Sequence, residues 1–115
     1  MSHARTFETA LSEALNRLSS DEWAVTEARD KAIEGLTPTA AFHSIVGILR
    51  LASKQTDSYA LSSCCWLAVD LMTLSNTTEV PLGLIEAVET LTTTASALGC
   101  EYEVKPISTW CRLAA

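Results

Sequence analysis

The chain is poor in several things at once. It has four glycines, three prolines and 6% aromatic residues in 115 positions. No Gly-rich phosphate loop, G-x-S-x-G or H-E-x-x-H is present, so the commonest catalytic signatures are absent and no enzyme is expected. Basic residues are also scarce. Eight Lys and Arg face fourteen Asp and Glu, a net charge of −6. A nucleic-acid binder needs a basic patch to neutralise phosphates, and none is visible. Long apolar runs are missing too. The longest, Cys64 to Val69, falls far short of the roughly 20 residues a membrane span requires. The first twenty residues carry acids among their apolar positions, so no secretory signal is expected. The cytoplasm is the expected compartment, with reduced thiols.

What is present reads as helix from end to end. The apolar fraction of 48% supports one folded domain over 1–115. Phe7, Leu11, Leu15 and Leu18 recur at helical spacing and predict a first helix over 3–18. Ser19-x-x-Glu22 is a capping box, with Leu18 and Trp23 as its hydrophobic staple, and predicts a second helix ending near Gly35. Thr37-Pro38 restarts the chain as cap and first helical residue. The third helix then runs to about Ser53, burying Phe42, Ile45, Val46, Ile48, Leu49 and Ala52. A fourth covers 58–74. Pro81 opens a fifth, burying Leu84, Ile85, Val88, Leu91, Ala95 and Leu98, and Gly99 stops it. The tail before Pro106 reads as extended, with a short helix over 107–113. The fold class is all-α, a compact bundle of five to six antiparallel helices. A faint repeat, in which Pro38, Ala41, Phe42, Ile45, Ile48 and Ala52 match residues 43 positions later, resembles HEAT-type hairpins as an alternative arrangement.

The stretch LSSCCWLAVDLM, 61–72, carries the most unusual chemistry. On a wheel of about 100° per residue, Tyr59, Ser62, Ser63, Trp66, Asp70 and Thr73 share one strip, and the rest is apolar. Cys64 and Cys65 lie on the apolar arc. Adjacent helical cysteines cannot bridge each other. Their spacing to Cys100 and Cys111 does not match the paired ligands of zinc sites. They read as core fillers, so no metal and no cofactor is expected. Tyr59, Trp66 and Asp70 are candidates for a partner-binding face, since Trp and Tyr concentrate at binding hot spots. The alternative is that another helix covers them. A second strip on helix two holds Trp23, Glu27, Asp30 and Glu34 within about 60°. Its carboxylates suit a basic partner, or form a plain solvated face. His43, Arg50 and Lys54 make a mild basic edge on helix three, and His3 is expected in a mobile terminus.

This profile of small size, acidity, helices, aromatics on polar faces and no catalytic motif resembles the immunity proteins of bacterial toxin systems. That resemblance implies a non-catalytic protein that neutralises a basic toxin domain by occluding its active site. The alternatives are a small HEAT-like adaptor and a homodimer pairing through its own aromatics.

Overall fold

The computed structural model describes residues 3–17, 23–77 and 79–110. Six helices follow in order: α1 (His3–Asn16), α2 (Ala24–Ile33), α3 (Pro38–Ser53), α4 (Ser58–Ser75), α5 (Leu84–Leu98) and α6 (Glu101–Trp110). Among the described residues there is no strand. The protein is an all-helical bundle.

Neighbours in sequence are neighbours in space. α1 packs on α2, α3 on α4, and α5 on α6. The hairpins then stack, with α1 against α3 against α5 and α2 against α4 against α6. Two layers of three helices result. Overall dimensions of 40 × 33 × 21 Å fit a slab two helices thick, given a helix diameter of about 10 Å. α3 and α4 form the central hairpin, and Ile45, Ile48, Leu49, Leu61, Leu67 and Leu71 are completely buried.

Local chemistry sets most helix ends. The Thr37 hydroxyl accepts the Ala40 amide at 3.1 Å, and Pro38 follows where no amide hydrogen is needed. A carboxylate oxygen of Asp57 accepts the Ala60 amide at 3.0 Å and starts α4. Asn76, at φ 52°, turns left-handed to end it. Gly35 and Gly99, both at φ 73°, stop α2 and α5 as expected.

Several expectations are corrected. α2 begins at Ala24, with Trp23 ahead of it as an exposed N-cap rather than inside the first turn. The capping box over 19–22 and Leu18 lie outside the described residues. α5 begins at Leu84, not at Pro81, which is buried in the preceding turn and accepts the Leu84 amide at 3.2 Å. The buried arc is centred on Leu84, Leu91 and Ala95, so Ile85 is 47% exposed and Ala87 is buried instead. Leu98 is half-buried. On α3, Phe42 and Val46 are half-buried, while Leu51 is buried.

The segment before Pro106 is helical, not extended, and α6 runs straight through the proline. A proline inside a helix costs about 3 kcal/mol. Burying Val104 and Ile107 returns about 1.5–3 kcal/mol each, enough to offset it. Residues 111–113 lie outside the described part. His3 is not loose. Its Nε2–H donates to the Ala32 carbonyl at 2.8 Å and ties the start of α1 to the end of α2.

Candidate functional site

The candidate site lies on the layer made by α2, α4 and α6. Aromatic residues divide sharply between the layers. Phe7 and Phe42 belong to α1 and α3. Trp23 caps α2, Tyr59 and Trp66 stand on α4, and Tyr102 and Trp110 stand on α6. All three tryptophans and both tyrosines therefore belong to one layer. Rings with a polar tip gather in one layer, and the purely apolar rings are placed in the other.

α4 is the middle helix of that layer. Its apolar arc meets α3, α2 and α6, which leaves one stripe uncovered. Tyr59 and Trp66 on that stripe are 45% and 50% exposed. Neither is covered by another helix. Ser63, read from the sequence as part of the strip, is buried, and its hydroxyl donates to the Tyr59 carbonyl at 3.0 Å. The stripe is thus narrower than the wheel suggested. Glu27 and Asp30 on α2, and Trp23 and Glu34 at its two ends, are all exposed.

The two helices meet at an ion pair. Arg29 Nε lies 3.7 Å from Asp70 Oδ2 across the α2–α4 seam. Asp70 is half-buried there, and partial burial pushes its carboxyl above the usual range. The Arg29 guanidinium pulls the other way, and the nearby Asp30 carboxylate adds to the rise. The seam therefore holds two acids and one cation, with Glu27 and Glu34 further along α2. Arg29 carries no signal in the sequence. It lies beside the buried face of Val25 and Ala28, about 100° or more from the acidic strip, on a flank that only the packing of α4 turns into a contact.

The adjacent cysteines are core. Cys64 and Cys65 are buried, and burial pushes both thiols up to about 12. Cys65 and Glu8 add to the rise at Cys64, whereas Glu103 and Cys100 add to it at Cys65. The two thiols thus feel different charges, Glu8 of α1 and Glu103 of α6. Thiols this basic stay protonated near neutral pH and make poor nucleophiles or metal ligands. Among the described residues no three His, Cys, Asp or Glu side chains are grouped as ligands would be.

The opposite layer differs in character. Arg50 and Lys54 on α3 line a groove of about 370 Å³ with Arg5 and Glu8 of α1, and another of about 320 Å³ with Glu86 and Thr90 of α5. Three cations thus share the α1–α3–α5 layer, away from the acidic stripe. Val80, Leu82 and Ile85 form an exposed apolar knob at the entrance to α5, with Leu82 fully exposed. The run VPLGLI was its sequence signal. No helix among the described residues is long and apolar enough to cross a membrane. No family model, curated protein or solved structure matches this chain.

Proposed function

We propose that the protein is a non-catalytic binding protein whose α2–α4 face receives a basic protein partner. The observation that supports this reading is the exposure of aromatic and acidic residues on two neighbouring helices, α2 and α4, on either side of the seam at Arg29 and Asp70. Trp23, Tyr59 and Trp66 supply exposed rings, and Glu27, Asp30, Glu34 and Asp70 supply charge. Rings with polar tips anchor interfaces, and a field of one sign speeds encounter with the opposite sign. The more specific form is an immunity protein of the cytoplasm. Its acids would meet the cationic substrate-binding surface of a toxin domain and block access to it. No cofactor or metal enters this mechanism.

A second reading is favoured by the hairpin stacking. Arrays of helical hairpins present broad faces on which partners assemble, and the same stripe would then serve an adaptor in a larger complex.

Affinity capture from host lysate separates these readings. The bait is wild type beside a Trp66→Ala, Asp70→Ala double variant that keeps its helical circular dichroism. One basic partner should be captured by wild type and lost by the variant. Its association should slow as salt rises, and its activity should fall on binding. Equal capture by both proteins overturns the assignment of the face. Capture that ignores salt and leaves the partner active favours the adaptor.

A further inference from the structure

We propose that α6 carries a site for an arginine side chain of a basic partner, built from the rings of Tyr102 and Trp110 and the carbonyl of Tyr102. The inference rests on the reading of a basic partner and extends its footprint to the third helix of the same layer.

Tyr102, Lys105, Pro106, Thr109 and Trp110 line an open depression of about 540 Å³ on α6. Tyr102 is 80% exposed, so its ring is held out into solvent rather than used in the core. Trp110 is half-buried at the end of the same helix.

Pro106 gives the groove a polar feature. In an unbroken helix the amide at 106 would donate to the carbonyl at 102, four residues earlier. Proline has no amide hydrogen, so the Tyr102 carbonyl receives none from that position. An acceptor thus stands beside an exposed aromatic ring.

The ring already attracts a cation. Lys105 Nζ lies 4.7 Å from the centre of the Tyr102 ring, within the range of a cation–π contact. Glu101, exposed, and Glu103, half-buried, flank Tyr102 on the same helix. Neither acid lines the groove, so the ring face and the carbonyl are what favour positive charge there. Arginine fits this set better than lysine. Its guanidinium is planar, weakly hydrated and rich in donors, so one group can stack on the ring and still donate to the carbonyl. The Lys105 ammonium is then a local occupant that the partner's arginine displaces.

The test is an NMR titration of ¹⁵N-labelled protein with tri-arginine amide, following the three indole N–H signals. The Trp110 signal should shift and saturate. Tyr102→Leu, at an exposed position, should weaken that saturation by about two- to fivefold. Lys105→Gln should strengthen it by removing the occupant. Pro106→Ala should weaken it by restoring an amide that satisfies the carbonyl. A Trp110 signal that does not move, or a Tyr102→Leu variant that titrates like wild type, overturns the site. Movement of Trp23 and Trp66 without Trp110 removes this site and leaves the α2–α4 face standing. Movement of Trp110 alone supports the site and counts against that face.

Discussion

Arg29 Nε stands 3.7 Å from Asp70 Oδ2, near enough for an ion pair and too far for a hydrogen bond. Arg29 Nε is buried and has no hydrogen-bond partner. Asp70 thus gains little from its cation, and burial is the larger influence on it. A carboxyl whose pKa rises on folding binds its proton more tightly in the folded state than in the unfolded one. The folded state is then favoured where Asp70 is protonated, and that advantage is lost as pH rises through the carboxylate range. Ionised Asp70 therefore works against the fold at neutral pH.

Asp70→Asn imitates the protonated side chain. The variant should melt above wild type at pH 7, and the difference should shrink on acidification towards about pH 3–4, where the wild-type carboxyl is protonated too. Thermal denaturation followed by circular dichroism at both pH values checks it. A variant that melts several degrees lower at pH 7 would show the ion pair to be stabilising. A residue that weakens the fold yet stands at the centre of an acidic face is the pattern expected where function, rather than stability, holds it there.

Trp66 supports the same separation of roles. With half its surface exposed, Trp66→Ala removes little from the core. Its far-UV spectrum should be unchanged, and stability should fall by less than about 1 kcal/mol, against about 3–5 kcal/mol for a buried tryptophan. If Trp66 is an anchor for the basic partner, the loss in affinity should exceed about 2 kcal/mol, some thirtyfold. Calorimetric titration beside a melting curve measures both. Loss of the fold would mean that Trp66 is structural.

The stripe that holds Trp66 was legible because α4 is covered on every other side. A polar strip among apolar residues then has one place to go. The boundaries of α3 and α4 were legible because Thr37, Pro38 and Asp57 act within three residues of themselves. Pro81 and Pro106 misled for the same reason that Pro38 did not. Proline is compatible with a helix start, a turn or a costly interior position, and only packing decides which. Val104 and Ile107 decide it for Pro106 by burial across α6. Neither the Arg29–Asp70 contact, 41 residues apart in sequence, nor the His3–Ala32 hydrogen bond has a local signature. Both exist only once helices are placed side by side.

Cys64 and Cys65 should behave as inert core. With both thiols held near 12 by burial, the thiolate fraction at pH 8 is negligible. Iodoacetamide at pH 8 should leave both unmodified in the native protein and alkylate both in denaturant. Peptide mass spectrometry distinguishes the two sites. Rapid native labelling of either would place that thiol in a reactive environment and reopen a chemical role for the pair.

Pro106 offers a test of what α6 is for. Pro106→Ala restores a backbone hydrogen bond and relieves the clash with the preceding turn, which is worth up to about 3 kcal/mol. Part of that gain is returned, because proline also restricts the unfolded chain by about 0.4–1 kcal/mol. The net expectation is a higher melting temperature. If the Tyr102 carbonyl serves an incoming guanidinium, the more stable variant should also bind tri-arginine amide more weakly. Stability and binding would then move in opposite directions on one substitution. A variant that gains stability with no change in binding would make Pro106 a tolerated flaw in the helix and remove the carbonyl from the proposed site.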